Sequence, residues 1–252
     1  MIRISINGAR GRMGQNLIEL VSSDEGLQLC GLIESNTHAD IGMTICGIEL
    51  VSDIEKGIRD SDVVIDFSYP QAVVELLPVC LKLKKKLVIG TTGFDSEQIS
   101  GIEKAAAQIP VFISPNMSVG VNLFFKIAGQ ITDNLPGYEK EIIETHHNKK
   151  VDAPSGTAKK LAQIISRDGD TVVSGRDGKV GPRSKNEIGM HVVRAGNIVG
   201  EHTVMWVNPH ERIEFSHKAQ SRQVFAAGAI SAAKWINGVS AGSLYSMEDI
   251  LN

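Results

Sequence analysis

A twelve-residue stretch, HHNKKVDAPSGT at 146–157, concentrates side chains that can move protons and bind anions. His146 and His147 are adjacent, so on a strand they would point to opposite sides and only one would face a reacting atom. An imidazole is a suitable proton donor near neutral pH. Lys150 offers a charge for a substrate carboxylate or a proton for a leaving hydroxyl. The stretch predicts a site for a small, multiply anionic substrate that must also be protonated; surface histidines and a solvated lysine are the ordinary alternatives.

The end of this stretch has the pattern of a helix start. Ser155 can cap the helix, which leaves backbone N–H groups near Gly156 unsatisfied and able to bind a carboxylate. Thr157 adds a hydroxyl donor. Asp152 is expected to hold the loop, because a carboxylate would repel an anionic substrate. Neither CxxC nor HExxH accompanies the two histidines, so no metal is expected.

Glycines cluster between the first strand-like run and the first helical run. The segment ISINGARGRMGQNL places Gly8, Gly11 and Gly14 where backbone N–H groups and a helix N-terminus can approach a pyrophosphate. The spacing is GxxGxxG, with Arg10 at one glycine of the GxGxxG fingerprint, and a purely structural turn is the alternative. Glu34 stands 20 residues after Gly14, where an acidic side chain can bind ribose hydroxyls. The combination predicts dinucleotide binding.

The residues after Glu34 favour NADH over NADPH. A 2′-phosphate is expected to need an arginine or lysine there, but SNTH follows, and the Glu34 carboxylate would repel the phosphate. Arg12 or His38 can still accommodate NADPH. Two further loops, IGTTGF at 89–94 and ISPNMS at 113–118, follow strand-like runs, at the edge where ligands bind in open α/β sheets.

The elements that must position these residues alternate through the first half of the chain. Short apolar, β-branched runs are separated by helical patterns of 10–15 residues, which predicts an α/β fold with a Rossmann-like, doubly wound parallel sheet. The strand-like runs are 2–6, 27–34, 63–68, 86–93 and 111–114.

The pattern changes after Asn116. A buried helix, a strand that ends at the dense motif, a second helix and three more strand-like runs predict an α+β domain with a mixed or antiparallel sheet. The helical run at 221–236 is expected to return and pack on the first domain. The polar, glycine-containing segment 166–187 is expected to be a mobile loop or an assembly contact.

These boundaries predict two domains. The dinucleotide-binding domain comprises residues 1–117 plus 222–252, and the substrate-binding domain comprises 118–221.

Composition excludes several classes of protein. The 252 residues carry a formal net charge of −3, with 42% hydrophobic and 22% charged residues, so a general nucleic-acid binder is not expected. No apolar run is long enough to span a membrane, and no secretory signal is recognisable at the N-terminus. Cys30, Cys46 and Cys80 are interpreted as reduced core residues. A cytoplasmic protein is expected.

Six motifs lie along nearly the whole chain: GxxGRMG at 8–14, DFS at 66–68, GTTG at 90–93, PNxSVGVN at 115–122, HHxxKxDxPSGTA at 146–158 and RxxFAxGAxxAAxW at 222–235. Together they resemble the 4-hydroxy-tetrahydrodipicolinate reductase (dihydrodipicolinate reductase) family. The HHxxKxDxPSGT motif is highly specific, whereas the glycine turn alone is not.

The resemblance implies roles for individual residues. His146 would be the general acid–base residue, and Lys150 a proton donor that also faces the substrate. His147, Gly156 and Thr157 would hold the substrate carboxylates. The cofactor would be lined by Gly8, Ala9, Arg10, Gly11, Arg12, Met13, Glu34, Gly90, Thr91, Thr92, Ser114, Pro115, Asn116 and Met117.

The resemblance also implies an activity. It is the NADH- or NADPH-dependent reduction of a small cyclic dicarboxylate, 4-hydroxy-tetrahydrodipicolinate, to tetrahydrodipicolinate in lysine and diaminopimelate biosynthesis, by a homotetramer assembled through the second domain. The missing arginine after Glu34 argues against a strong NADPH preference. Two alternatives remain at this point: another two-domain dehydrogenase acting on an amino acid or a semialdehyde, and a non-catalytic dinucleotide sensor.

Overall fold

A computed structural model describes residues 1–252. The strands are β1 (Ile2–Asn7), β2 (Leu27–Ile33), β3 (Thr44–Ile45), β4 (Ile48–Val51), β5 (Val63–Asp66), β6 (Lys86–Ile89), β7 (Val111–Ile113), β8 (Glu139–His146), β9 (Thr171–Ser174), β10 (Glu187–Arg194), β11 (Gly200–Val207), β12 (Arg212–Ala219) and β13 (Leu244–Tyr245). The helices are α1 (Arg12–Ser23), α2 (Ile54–Ile58), α3 (Pro70–Leu83), α4 (Ser96–Ala106), α5 (Val119–Asn134), α6 (Gly156–Ile165), α7 (Gln223–Ile236) and α8 (Met247–Ile250).

The chain divides into two compact units. The first unit comprises Met1–Val119 together with Gln223–Asn252, and the second comprises Gly120–Arg222. None of the helices is both long and apolar enough to cross a membrane.

The first unit is built on an eight-stranded sheet with the order β13-β7-β6-β5-β1-β2-β4-β3. All paired strands are parallel except β3, which runs antiparallel to β4. The central strand β5 is buried at every position, as expected for a parallel sheet covered on both faces. One face packs against α1 and α7, and the other against α3 and α4. The predicted Rossmann-like sheet is therefore confirmed.

Local sequence explains where the helices of this unit begin. Pro70 occupies the first turn of α3, where its missing N–H costs nothing. Asp95 and Gln98 form a reciprocal capping box at the start of α4. The returning helix α7 is rich in alanine and glycine, and a side chain at Gly228 would overlap the carbonyl oxygen of Met117. Small residues thus let α7 lie directly on the segment around residue 117.

The second unit contains a mixed five-stranded sheet with the order β12-β11-β8-β10-β9. Strand β8 is parallel to β10 and antiparallel to β11, which confirms the mixed sheet expected for the second domain. Alternate residues of β8 and β11 face α5 and α6. This apolar core comprises Phe124, Ala128, Ile142, Ala158, Leu161, Ala162, Ile165, Ile188, Met190, Val204 and Trp206.

Three features differ from the sequence-based expectations. The hairpin β3–β4 and the five-residue α2 were not expected, because such short elements carry too few residues to show a period. Segment 166–187 is not wholly loop: Thr171–Ser174 forms β9, an edge strand parallel to β10. The interpretation of all three cysteines as core residues is wrong for Cys46, which is exposed in the turn between β3 and β4. Only Cys80 is fully buried.

Candidate functional site

Polar side chains collect at the C-terminal end of β8, on the face that its apolar residues share with α5 and α6. Glu144 and His146 are two residues apart, so they lie on the same face of the strand. Strand pairing places His202 of β11 beside Glu144, and Arg194 of β10 beside His146. His217 of β12 is paired in turn with His202. On this face of the sheet, titratable side chains therefore replace the apolar core residues from Glu144 onwards.

Glu144 is the most heavily bonded group of this cluster. Its side chain is fully buried, and both oxygens accept hydrogen bonds from the guanidinium of Arg194, at 2.9 and 3.0 Å. Oε1 also accepts the backbone N–H of Ser155 at 2.9 Å, and Oε2 contacts Nδ1 of His146. Burial alone would raise the pKa of Glu144, but these donors outweigh burial and lower it. Glu144 is therefore an ionised carboxylate inside the unit.

His146 is 9% exposed, and its surroundings act on its pKa in opposite directions. Burial lowers the pKa, Glu144 raises it, and the charges of Lys150 and Arg194 lower it, with a net decrease. Gly200 of β11 lies beside the ring, and a Cβ atom there would be 3.0 Å from Nε2. Since Nδ1 contacts Glu144, Nε2 is the ring nitrogen that remains to exchange a proton.

His202 is a second buried imidazole that sequence reasoning missed. Its ring stands edge-to-face against that of His146, with centroids 5.2 Å apart. Burial, together with the charge of the neighbouring His146, lowers the pKa of His202 to about 3. Its Nε2 is 3.0 Å from the hydroxyl of Ser155, whereas its buried Nδ1 has no hydrogen-bond partner. His202 is thus neutral, packs against His146 and contacts the N-cap residue of α6.

The predicted helix start is present at α6. Ser155 is the N-cap, and its hydroxyl accepts the N–H of Ala158 at 3.2 Å. Gly156 and Thr157 follow in the first turn, and the space next to Gly156 is open for 4 Å. Helix starts of this kind bind anions through their backbone N–H groups and partial positive charge.

Lys150 and Asp152 lie in the loop between β8 and α6. The ammonium of Lys150 is 2.7 Å from a carboxylate oxygen of Asp152, whose backbone carbonyl accepts a hydrogen bond from Arg194 at 2.7 Å. The pKa of Asp152 is lowered chiefly by its hydrogen bond with Lys150. His147 follows β8 directly and is partly exposed. The second unit therefore contains all five candidate catalytic and substrate-binding residues: His146, His147, Lys150, Gly156 and Thr157.

The glycine turn of the first unit has the close packing that a dinucleotide site requires. Gly8 has a φ of +79°, and a Cβ atom there would lie 2.6 Å from the carbonyl oxygen of Phe67. A side chain at Gly14 would overlap the carbonyl of Gly8. The N-cap of α1 is Gly11, which has no side chain to bond the first N–H groups of the helix. The turn therefore brings a helix N-terminus to its surface, and these residues fit a bound pyrophosphate.

Glu34 lies next to this turn, as its spacing predicted. Its carboxylate accepts the backbone N–H of Arg10 at 3.0 Å. The guanidinium of Arg10 is 2.6 Å from a carboxylate oxygen of Asp40, a residue that the sequence analysis did not consider. His38 accepts the N–H of Asp40 through Nδ1 at 3.2 Å. Two carboxylates and one paired arginine thus occupy the position where a cofactor ribose is expected.

Asp66 lies between the loops that are predicted to bind the cofactor, and the sequence did not reveal it as a site residue. It ends β5, and its buried carboxylate accepts hydrogen bonds from Asn7 at 2.6 Å and from the hydroxyls of Ser68, at 2.7 Å, and Thr91. Burial raises the pKa of Asp66, and these three donors oppose that effect. The carboxylate connects the ends of β1, β5 and β6, and so holds Gly90 and Thr91 close to the glycine turn.

The sequence predicts no metal centre, but three side chains of the cluster lie close enough together to be considered as metal ligands. Ligand atoms of Glu144, His146 and His202 lie within 4.8 Å of one another. However, the guanidinium of Arg194 contacts both Glu144 oxygens, which places a fixed positive charge where a cation would bind. The cluster is therefore better suited to proton transfer than to metal binding.

Comparisons with known proteins match nearly the whole chain to one family. A family model described as "Dihydrodipicolinate reductase, N-terminus" matches residues 2–117, and one described as "Dihydrodipicolinate reductase, C-terminus" matches 120–251. A 4-hydroxy-tetrahydrodipicolinate reductase of Syntrophotalea carbinolica is 44% identical, covering 100% of this chain and 99% of the relative. A protein of the same name from Hahella chejuensis is 43% identical with the same coverage.

Two solved structures are informative at different levels. A dipicolinate-bound dihydrodipicolinate reductase from Paenisporosarcina sp. TG-14 has a TM-score of 0.82 and 27% identity, and the match covers 99% of both chains. Aspartate semialdehyde dehydrogenase II from Vibrio cholerae has a TM-score of 0.56 with 10% identity, covering 94% of this chain and 98% of that one. The second likeness concerns the fold alone.

Proposed function

The chain belongs to the dihydrodipicolinate reductase family, and from this premise we propose that the cluster around His146 supplies the proton for the reduction of 4-hydroxy-tetrahydrodipicolinate. The protein is an NAD(P)H-dependent oxidoreductase of lysine and diaminopimelate biosynthesis, as the sequence predicted. One observation carries the assignment of residues: a buried imidazole with one bonded nitrogen lies one loop away from a helix N-terminus.

The substrate requires what this cluster offers. It is a cyclic imine with two carboxylates and a 4-hydroxyl; loss of water gives dihydrodipicolinate, which has a conjugated ring. NAD(P)H supplies a hydride, which adds at C4, and the resulting enamine then takes up one proton to give tetrahydrodipicolinate. Each turnover therefore consumes one hydride and one proton, and a side chain positioned at the substrate accelerates the delivery of that proton.

The residues of the second unit divide this work by chemistry. Backbone N–H groups at Gly156 and Thr157, with the imidazole of His147, suit the two carboxylates. Nε2 of His146 delivers the proton to the enamine. Lys150 lies in the loop between β8 and α6, where its ammonium is paired with Asp152. When the substrate binds, this ammonium leaves Asp152, approaches a substrate carboxylate and protonates the leaving hydroxyl.

The residues of the first unit would hold the cofactor. The turn Gly8–Met13 suits the pyrophosphate, and Glu34 suits the ribose hydroxyls. The segments 90–92 and 114–117 follow β6 and β7, at the carboxyl edge of the parallel sheet, and suit the nicotinamide half. Buried Asp66 supports this assignment because it bonds to Thr91 within the first of these segments.

We also propose a preference for NADH. The carboxylates of Glu34 and Asp40 would both repel a 2′-phosphate, and the nearby guanidinium of Arg10 is already paired with Asp40. Removing Asp40 leaves that guanidinium able to bind the phosphate. We expect Asp40→Ala to raise kcat/KM with NADPH, relative to NADH, by about fivefold, the equivalent of about 1 kcal/mol for a partly exposed charge pair.

Steady-state kinetics with each cofactor tests this preference. Asp60→Ala, which removes an exposed acid far along the chain from the turn, is the matched control and should leave the ratio unchanged. An unchanged ratio in Asp40→Ala would contradict the role given to Asp40.

The catalytic assignment is tested by replacing the proposed proton donors. We expect His146→Ala and Lys150→Ala each to reduce kcat by on the order of 10²- to 10⁴-fold, the range for a general acid. NADH affinity should stay nearly unchanged, because no residue of the proposed cofactor site is altered. The measurement is the loss of NADH absorbance with freshly generated 4-hydroxy-tetrahydrodipicolinate.

Lys149→Ala is the matched control, since Lys149 is adjacent, exposed and assigned no role. Near-normal turnover in His146→Ala would refute its role as the proton donor, and near-normal turnover in Lys150→Ala would refute the role of Lys150. Pyridine-2,6-dicarboxylate, a planar mimic of the substrate, should inhibit competitively; a semialdehyde or amino-acid dehydrogenase would not respond to it.

A homotetramer assembled through the second unit is proposed as well. Helices α5 and α6 both pack on one face of the five-stranded sheet, and on the other face Val193 of β10 is 42% exposed. Light scattering in solution measures the mass of the assembly. A cytoplasmic location remains a prediction.

A further inference from the structure

Glu144 has more hydrogen-bond partners than a buried carboxylate needs to balance its charge. A buried carboxylate needs a charge partner, and the two-pronged contact with Arg194 already provides one. Yet the same two oxygens also bond to Nδ1 of His146 and to the N–H of Ser155. These additional partners are the proposed proton donor and the N-cap of the proposed carboxylate-binding helix.

We propose that Glu144, held by Arg194, is the positioning residue that makes His146 a proton donor through Nε2. This inference rests on the proposed function and adds a residue to it. When the carboxylate accepts a hydrogen bond from Nδ1–H, the proton of the neutral imidazole stays on Nδ1, and Nε2 alone exchanges a proton with the substrate. A carboxylate behind a catalytic imidazole sets tautomer and orientation in this way.

The position of Nε2 agrees with this assignment. The ring edge that carries Nε2 faces Gly200, the one residue type without a side chain to block it. His202 stands edge-to-face against the ring and bonds to Ser155 rather than to His146, so it does not compete for either ring nitrogen.

Glu144 also fixes the distance between the two functional parts of the second unit. Its Oε1 bonds to the N–H of Ser155, while Arg194 spans Glu144 and the backbone carbonyl of Asp152. One carboxylate therefore links the end of β8, the loop that carries Lys150 and the start of α6. The proton donor and the anion-binding N–H groups are positioned by the same group.

Charges around His146 make the proposal measurable through pH. The groups that face it are Glu144 on its own strand, Arg194 on β10, His202 on β11 and Lys150, paired with Asp152, in the loop; His217 of β12 lies behind His202. Glu144 raises the pKa of His146, whereas Lys150 and Arg194 lower it. Without the Glu144 charge, only the lowering charges remain. The acid form would then be lost at a lower pH, and turnover would fall with it.

The experiment compares Glu144→Gln, Glu144→Asp and the wild-type enzyme. Glutamine keeps the shape but presents an amide N–H₂ to donors that need an acceptor, and it removes the charge. We expect kcat to fall on the order of 10²-fold, the alkaline limb of the kcat–pH profile to move to lower pH, and NADH affinity to be unchanged. Aspartate restores the charge, so the limb should return towards the wild-type position with part of the turnover.

The chain offers a matched control on the same strand. Glu141 also contacts a histidine, His191, at 2.7 Å, and two arginines, Arg176 and Arg183, at 3.2 and 3.1 Å. It lies at an odd position of β8 and thus on the opposite face from His146. Glu141→Gln should leave kcat and the alkaline limb unchanged.

A measurement on the wild-type enzyme does not depend on how the variants fold. Long-range ¹H–¹⁵N spectra report the tautomer of each neutral imidazole, and the signal of His146 is identified by its loss in His146→Gln. We expect the proton on Nδ1. A proton on Nε2 would overturn the inference, as would an unshifted alkaline limb in Glu144→Gln or an equal effect of Glu141→Gln. If His146→Ala itself keeps normal turnover, the proposed function fails; if only Glu144→Gln does, this inference fails alone.

Discussion

The proposed proton donor, Nε2 of His146, is accessible because its neighbour, residue 200, is a glycine and has no Cβ atom. At Gly200, a Cβ atom would be 3.0 Å from Nε2 of His146, closer than two such atoms normally approach. Because His146 is nearly buried and Glu144 bonds to its other nitrogen, the ring cannot move away without losing that bond. Gly200 is therefore part of the geometry of the proton donor, although it carries no functional group.

We accordingly expect Gly200→Ala to lower kcat by less than the ~10²-fold that a displacement of a catalytic group by about 1 Å can cost, because the ring has to shift by only a fraction of that distance. Gly200 does not have a positive φ, so alanine causes no backbone strain there. The measurements are kcat, NADH affinity and the free energy of unfolding. Wild-type turnover in a folded variant would show that this side of the ring is not used.

At the scale of elements, helix α7 depends on a glycine to reach the loop before α5. A side chain at Gly228 would overlap the backbone carbonyl of Met117, which lies in the proposed nicotinamide segment. A backbone carbonyl cannot rotate away as a flexible side chain can. The helix or the loop must therefore shift if residue 228 gains a methyl group.

We expect Gly228→Ala to destabilise the protein by about 1–3 kcal/mol through overpacking, and to weaken NADH binding. Gly101 in α4 is the matched control: its surroundings are open for 4 Å, so Gly101→Ala should stabilise by up to about 1 kcal/mol through helix propensity. Urea unfolding and NADH titration of both variants test this. If Gly101→Ala destabilised the protein as much as Gly228→Ala, close packing at Gly228 would not be the cause.

For the whole molecule, buried histidines link stability to pH. Burial lowers the pKa of His202 to about 3, well below the value of about 6.5 for an unfolded histidine. The unfolded chain therefore takes up a proton first as the pH falls. Stability is complete above pH 6.5 and declines from there towards pH 3, by about 1.4 kcal/mol per pH unit for this residue. Burial lowers the pKa of His217 in the same direction.

We expect the free energy of unfolding to drop by about 2 kcal/mol between pH 6.5 and pH 5 on account of His202 alone. His202→Asn should be less stable at neutral pH, because it loses the contact with Ser155, but should lose less stability on acidification. His210→Asn, in the exposed turn between β11 and β12, should keep the wild-type slope. Equal slopes in all three proteins would contradict the buried, neutral state of His202.

Several site residues could be read from local sequence, and others could not. His146, Lys150 and the start of α6 share one motif, and the glycine turn is contiguous. Glu144 was within reach as well, because alternation along a strand places residues 144 and 146 on one face. Arg194 and His202 stand 48 and 56 residues beyond His146, and only strand pairing brings them near.

The order of the longer elements, the two sheets and the proposed chemistry of the dense motif were predictable from the sequence alone, because hydrophobic periods, helix caps and glycine turns act over a few neighbouring residues. Only the tertiary structure decided which strands pair and in what register, since that choice depends on burying the apolar faces of distant segments together. This is why the proposed proton donor was visible in the sequence and Glu144 was within reach of it, while Arg194 behind Glu144, Gly200 beside His146 and Asp40 against Arg10 emerged only from the fold.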